Sequence, residues 1–384
     1  MITEQDNRYL SMAARLALRG HGGAEPNPLV GCVIVAANGG AIVGWGCHRQ
    51  CGGPHAEIEA LDRAGAKASG ATVYLTLEPC NHIGRTGPCT DALIEAGVAS
   101  VVYARAEPDA VAAGGADRLR EAGIDVKLVP GCRAAVEVSN PFVRRITTGL
   151  PWVVAKWAQT LDGRIATRSG ESRWISNAAS RRLVHQKRGR VDAILTGIGT
   201  VQADDPMLTA RGVTRRRVAR RVVIDPGLEI SPGCRLVTST AEAPTVVACG
   251  EDRVNADPDR VRALKGEGVE IIAVPRTGTE LPLDDVLREL VLRYQTTHLM
   301  VEAGAGLLGR LFRDGLVNEA WVFVAPLLFG DDEALPCVRG LTIDTLTDGC
   351  RLELWNVRRR GDDVVLRYGV TDTHPTRRAD RENR

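Results

Sequence analysis

Two stretches decide the reading of this chain: His55-Ala56-Glu57 and Thr76-Leu77-Glu78-Pro79-Cys80-Asn81-His82-Ile83-Gly84-Arg85-Thr86-Gly87-Pro88-Cys89. The first opens an apolar-periodic segment, 55–66, that reads as helix. The second closes an apolar run, 71–77, that reads as strand, and leads into a helix over 90–97. One imidazole and two thiols form a zinc donor set that leaves a fourth position open for water. Glu57, two residues past His55, can face that position without ligating the metal and act as general acid/base.

Around this core the periodicities alternate. Leu10, Ala13, Ala14, Ala17 and Leu18 follow helical spacing, with Thr3 and Asp6 as a capping box and Gly20 as the stop. Runs at 31–36 and 41–47 flank an Asn38-Gly39-Gly40 turn. Strands at 100–104 and 124–129 enclose a helix at 116–122. The first 146 residues therefore read as one α/β domain with a partly parallel sheet and helices on both faces. The basic, Gly/Pro-punctuated stretch 144–151 is the boundary. A second domain, 150–370, repeats the alternation. Its strands read at 152–156, 192–195, 221–224, 245–248, 270–273, 298–301 and 319–327, its helices at 177–188, 284–293 and 306–314. A closing hairpin reads at 351–357 and 364–368. The polar tail, 371–384, reads as disordered.

The H-x-E…P-C…C pattern fits the signature of zinc deaminases. The usual second half is P-C-x-x-C, whereas eight residues here separate Cys80 from Cys89. Cys47 and Cys51, with His48 between them, form a rival donor set, but it leaves Glu57 and Pro79-Cys80 without a purpose. The remaining cysteines read as small buried hydrophobes.

In the second half, segments 156–164, 170–176, 196–211 and 301–308 place Gly, Ser or Thr after apolar strands, where ligands of α/β sheets bind. Gly304-Ala305-Gly306-Leu307-Leu308-Gly309 matches G-x-G-x-x-G between a strand and a helix, a turn suited to phosphate. The strand after it ends without the acid that an NAD-type Rossmann domain uses for its ribose. A phosphate-contacting glycine loop of another fold is the better reading.

These motifs, with Pro26-Asn27-Pro28-Leu29-Val30-Gly31, closely resemble the bifunctional deaminase–reductase family of riboflavin biosynthesis, over about residues 1–368. The long Cys80…Cys89 loop is that family's own variant. The resemblance implies a cytidine-deaminase-like zinc domain followed by a dihydrofolate-reductase-like α/β domain that uses NADPH. It makes His55, Cys80 and Cys89 the zinc ligands and Glu57 the catalytic acid/base. Asn27, His48, His82 and Arg85 fall near the pyrimidine or its ribose phosphate. Ala158, Trp174, Thr200, Asp204 and the turn Gly304, Ala305, Gly306, Leu307 and Leu308 fall to NADPH. Ser172, Arg188, Leu208, Arg211 and Glu302 fall to the substrate, with Lys156 a further residue near the ribose. The implied reaction removes an amine from a diaminopyrimidinone ribosylamine phosphate and then reduces the ribose to a ribityl chain. The chain departs from the family's pattern at Gly87, at Glu107-Pro108-Asp109-Ala110 and at Gln159-Thr160. No general acid for the reduction is legible.

Composition narrows the alternatives. The 384 residues are 44% hydrophobic and 25% charged, which excludes disorder over most of the chain. No apolar run is long enough to cross a bilayer, and the N-terminus has no secretory core. With 49 basic and 47 acidic residues the net charge is +2, which argues against a general nucleic-acid or membrane binder. Only five of the basic residues are Lys. Arg215, Arg216, Arg217, Arg220 and Arg221 read as a solvated loop without the aromatics that nucleic-acid binding would use. Ten cysteines without an export signal place the chain in a reducing cytoplasm. By resemblance it is a homo-oligomer acting on a small molecule. Two rivals remain at this level: a nucleoside or RNA deaminase with a non-catalytic C-terminal half, and a non-enzymatic zinc-stabilised binding protein.

Overall fold

The computed structural model describes residues 2–37, 40–82, 87–276 and 278–371. Asn38, Gly39, Arg85 and the tail beyond residue 371 lie outside these. The chain divides into two units, Met1–Leu150 and Pro151–Arg384.

The first unit contains α1 (Glu4–Ala17), β1 (Gly31–Val35), β2 (Ile42–Cys47), α2 (Ala56–Ala64), β3 (Thr72–Leu75), α3 (Cys89–Glu95), β4 (Ser100–Tyr103), α4 (Gly115–Glu121), β5 (Asp125–Leu128), α5 (Arg133–Glu137) and α6 (Asn140–Thr148). Its sheet order is β2-β1-β3-β4-β5. β1 is antiparallel to β2 and β3, while β3, β4 and β5 run parallel. Two apolar clusters cover the sheet, one built with α2 and α3 and the other with α1. The capping box expected at Thr3 and Asp6 forms at the start of α1. Leu18 departs from expectation. It falls in the 3-10 turn that follows α1, which rotates it off the apolar stripe, and it is exposed. The division falls within the expected boundary stretch 144–151, whose first part, 144–148, is the end of α6, a helix with proline in its first turn and Gly149 at φ 67° as its stop.

The second unit contains β6 (Trp152–Gln159), β7 (Arg164–Ala166), α7 (Ala178–Arg188), β8 (Ala193–Gly197), α8 (Ile198–Asp204), β9 (Arg220–Ile224), α9 (Arg235–Thr238), β10 (Thr245–Gly250), α10 (Glu251–Ala256), α11 (Pro258–Gly266), β11 (Val269–Val274), α12 (Leu283–Tyr294), β12 (His298–Val301), α13 (Ala305–Arg313), β13 (Glu319–Val324), β14 (Leu335–Pro336), β15 (Leu352–Arg360) and β16 (Asp363–Val370). The nine-stranded sheet runs β11-β10-β9-β8-β12-β6-β13-β16-β15. It is parallel from β11 to β13, and the hairpin of β15 and β16 adds an antiparallel edge. β12 enters between β6 and β8, so the carboxyl ends of these three strands form a switch point where ligands of such sheets bind.

The arginine cluster is a solvated loop only in part: Arg215 and Arg216 are exposed outside any strand or helix, whereas Arg217, Arg220 and Arg221 are engaged. Arg221 lies on β9 and is fully buried. Its guanidinium donates to the carbonyls of Leu236 (3.0 Å), Ser239 (3.0 Å), Ala243 (2.6 Å) and Met207 (3.4 Å), and to Ser239 Oγ (2.8 Å). Burial pulls this guanidinium down to about 10. Arg220 pairs with Glu270 at 2.6 Å and lies 3.8 Å from the Tyr294 ring centroid. Arg217 pairs with Asp192. A planar fork with five donors can satisfy several carbonyls at once, and that is what this strand uses arginine for.

Two consequences can be measured. Replacing Arg221 with Met leaves buried carbonyls without donors and lowers the stability of the second unit by roughly 2–4 kcal/mol, read from its calorimetric transition. In the first unit, a Cβ on Gly115 would lie 1.9 Å from the Pro79 carbonyl oxygen. Gly115→Ala therefore displaces the Pro79-Cys80 turn, costs about 1–3 kcal/mol and lowers the zinc content of the purified protein.

Candidate active sites

In the first unit, α2 and α3 start beside each other at the end of β3. His55 is the residue before α2, and Cys89 is the first residue of α3. His55 Nδ1 lies 3.2 Å from Cys89 Sγ and 3.5 Å from Cys80 Sγ. The ligand atoms of all three lie within 4.8 Å of one another. The Cys89 thiol donates to Cys80, and with His55 it pulls Cys80 down to about 4 against the cost of burial. The same bond and burial push Cys89 up. An imidazole nitrogen and two sulfurs at this separation fit a tetrahedral zinc with one open position. Glu57, on the first turn of α2, is buried beside them. Burial, then the Cys80 sulfur, pushes its carboxyl up to about 7.

Asn27 and His48 join this site. His48 Nδ1 donates to the Pro54 carbonyl (3.0 Å), so Nε2 carries the lone pair that accepts from Asn27 Nδ2 (3.2 Å). The His48 ring stands edge-on to His55, with centroids 5.2 Å apart. Arg145 on α6 donates to the Pro26 carbonyl (2.9 Å) and so fixes the loop that carries Asn27. Cys51, from the rival donor set, contacts Asn27 Oδ1 at 3.9 Å instead of entering a metal cluster. His82 is half-buried. Sequence reasoning missed Glu78. Its carboxylate accepts from the amides of Ala116 (2.9 Å) and Glu107 (3.1 Å) and ties the Pro79-Cys80 turn to α4. A carboxylate directly before Pro-Cys was the available signal.

In the second unit the switch point gathers the ligand candidates. Lys156 points from β6, and Glu302 follows β12. Arg188, at the end of α7, grips Glu302 with Nε to Oε1 at 2.6 Å and Nη2 to Oε2 at 2.9 Å. Lys156 Nζ lies 3.8 Å from Glu302 Oε2. Against the upward push of burial, Arg188 and then Lys156 hold Glu302 down to about 2. Burial lowers Lys156, with Glu302 opposing. Arg188 Nη1 also reaches the Thr209 carbonyl at 3.2 Å, and Arg211 donates its amide to His185 Nδ1 at 3.3 Å. His185, three residues before Arg188 on one helix face, was not singled out from the sequence; the i,i+3 spacing was its signal.

Beside this cluster two helices begin. α13 starts after Gly304, and α8 after Gly197. A Cβ on Gly304 would meet Thr200 Oγ1 at 3.8 Å, and one on Gly197 would meet Leu307 Cδ2 at 3.2 Å. The two starts are therefore neighbours, and their free amides suit the phosphates of a dinucleotide. Gly309 serves packing instead: its Cβ would lie 1.9 Å from the Arg339 carbonyl oxygen. Ala158 is half-buried near the carboxyl end of β6, and Leu208 is buried with φ 48°. Asp204 is engaged by Arg173, which donates to its carbonyl at 2.5 Å and to its carboxylate at 3.4 Å. Trp174 is exposed, with the Arg181 guanidinium 4.6 Å from its ring centroid, and Ser172 lies two residues before it.

Comparison with known proteins covers both units. The cytidine and deoxycytidylate deaminase zinc-binding region matches residues 3–105, and the RibD C-terminal domain matches residues 151–366. Riboflavin biosynthesis protein RibD of Aquifex aeolicus is 38% identical, covering 95% of this chain and 99% of the relative. That of Escherichia coli is 40% identical, covering 94% and 98%. The solved structure of Acinetobacter baumannii RibD superposes with a TM-score of 0.81 at 34% identity, over 96% of this chain and 99% of that one. A Thermotoga maritima diaminohydroxyphosphoribosylaminopyrimidine deaminase/5-amino-6-(5-phosphoribosylamino)uracil reductase superposes with a TM-score of 0.80 at 29% identity, over 95% and 99%. The fold class is thus a cytidine-deaminase-like zinc domain followed by a riboflavin-type reductase domain. With a three-donor metal cluster in one unit, a glycine cradle in the other and matches along both, this chain belongs to the RibD family of riboflavin biosynthesis proteins.

Proposed function

We propose that the first unit deaminates 2,5-diamino-6-ribosylamino-4(3H)-pyrimidinone 5′-phosphate and that the second reduces the product to 5-amino-6-ribitylaminouracil 5′-phosphate. The chain is a bifunctional zinc-dependent deaminase and NADPH-dependent reductase of riboflavin biosynthesis. The observation that carries the deaminase assignment is Glu57, a carboxylate buried beside the His55, Cys80 and Cys89 cluster, for which a purely structural zinc site has no use.

In the first step water replaces the ring amine: a C–O bond forms, a C–N bond breaks and ammonia leaves. Zinc, held by His55, Cys80 and Cys89, supplies the Lewis-acid charge that makes a water acidic near neutral pH. Glu57 takes the proton from the water and returns it to the ring and the departing amine. Its raised affinity for a proton suits both tasks. Asn27 and His48 hold the pyrimidine or ribose phosphate, with His82 and Arg85 assigned to the same rim. For the second step bound NADPH would supply a hydride for ribose C1, whose bond to the ring oxygen breaks as that oxygen takes a proton and becomes a hydroxyl. Lys156, made more acidic by burial, is the group placed to protonate that oxygen. Glu302 and Arg188 fix Lys156 and the sugar, while Arg211 and Ser172 reach the phosphate and Leu208 lines the site. Ala158, Thr200, Asp204, Trp174 and the Gly304–Leu308 turn are the residues that would hold the cofactor. Ten free cysteines suit a reducing compartment, and we place the enzyme in the cytoplasm as a homo-oligomer, its mass readable by sedimentation.

The test follows ammonia and NADPH in one tube with zinc-loaded protein. Glu57→Gln lowers ammonia release by about 10²–10⁴-fold. The same variant still oxidises NADPH when given the deaminated intermediate. Ammonia release at the parent rate would remove Glu57 from the chemistry. Arg188→Met raises KM for the deaminated intermediate by roughly tenfold or more and leaves ammonia release intact.

A further inference from the structure

His185 makes two contacts through one ring nitrogen that cannot coexist in one protonation state. Its Nδ1 lies 3.1 Å from the Thr209 carbonyl oxygen and 3.3 Å from the Arg211 amide nitrogen. The carbonyl needs an N–H on that atom, whereas the amide needs a lone pair. The Thr209 carbonyl has a second donor, Arg188 Nη1 at 3.2 Å. With Nδ1 unprotonated, the Arg211 amide has the ring nitrogen as acceptor while the Thr209 carbonyl keeps Arg188 Nη1 as donor. With Nδ1 protonated, the ring N–H turns to Thr209 and meets the Arg211 N–H head-on.

We propose that His185 is a positioning residue of the reductase step: its neutral ring, protonated on Nε2, holds loop 209–211 so that Arg211 meets the substrate phosphate, and protonation of the ring releases that loop. This rests on the reading above that Arg188 and Arg211 contact the substrate. The charged groups facing the ring are Arg188 from its own helix, Arg211 from the loop and Glu302 from the end of β12. Burial, then the two arginines, lower the affinity of His185 for a proton, while the Thr209 carbonyl and Glu302 oppose them. The ring is thus neutral at neutral pH and takes its proton only in acid.

The experiment assays the reductase step of the full-length zinc-loaded protein with NADPH and the deaminated intermediate, from about pH 5.5 to 8.5. In His185→Ala the KM for the intermediate rises roughly tenfold, kcat stays within about twofold, and ammonia release by the first unit is unchanged. His185→Gln offers a carbonyl oxygen to the Arg211 amide and cannot be protonated, so it restores KM near pH 7.5. Below neutrality the parent enzyme loses kcat/KM through two protons, one on the substrate phosphate (second pKa about 6) and one on His185. The Gln variant loses it through the phosphate alone. Parent-like KM in His185→Ala, or an unchanged two-proton limb in His185→Gln, overturns the proposal; should the Ala variant not fold, the Gln profile decides. Arg211→Ala separates the two levels. If it leaves KM unchanged, the underlying substrate reading fails and the proposal with it. If it raises KM while His185→Ala does not, only the proposal fails.

Discussion

The ion pair between Glu302 and Arg188 sets the geometry on which the second unit's chemistry depends. It joins the end of β12 to the end of α7 through two parallel hydrogen bonds, and it brings the buried Lys156 ammonium to the same carboxylate. Removing one partner of such a buried pair costs about 3–5 kcal/mol, because the other is left charged and unpaired. An apolar replacement could be as stable, so stability does not explain its presence. The pair fixes an ammonium and a guanidinium at a distance set by one rigid carboxylate, at the place where β12 divides its neighbours. In the function proposed above, a flexible sugar phosphate would meet a charge pattern that does not have to form on binding.

The first unit reaches the same end with backbone groups. Glu78 accepts from one amide in a loop, Glu107, and one in the first turn of α4, Ala116, and Gly115 lets α4 approach the Pro79 carbonyl with no side chain between them. The turn that carries Cys80 is therefore held from behind, while His55 and Cys89 are placed by the starts of two helices. Metal ligands held in this way keep their separation whatever the substrate does at the open position.

Much of this was legible in the sequence because the signals were local. The metal ligands and Glu57 sit at the ends of periodic segments, and the helix start at Thr3 and Asp6 declared itself through three residues. What escaped depended on distant partners. The identity of Arg221 as a buried scaffold residue required knowing that the carbonyls of residues 236–243 converge on β9. Composition alone placed it with the solvated arginines. The stretch 144–151 read as the boundary, and the division between the units falls within it, but its helical part escaped even though Pro141 in the first turn of α6 marked a helix start. G-x-G-x-x-G likewise hides two roles, since only contact with Arg339 reveals Gly309 as a packing residue.

Among the described residues each hydrogen-bonded sheet closes within its own stretch of chain: the five-stranded sheet before Leu150, and the nine-stranded sheet and the small β7-β14 pair after it. No ladder spans the junction between Leu150 and Pro151. A gene divided at that codon would interrupt no sheet among the described residues. The pairings of each large sheet are therefore written in one uninterrupted stretch of the gene, and a change within one stretch leaves the strand pairings of the other as they were.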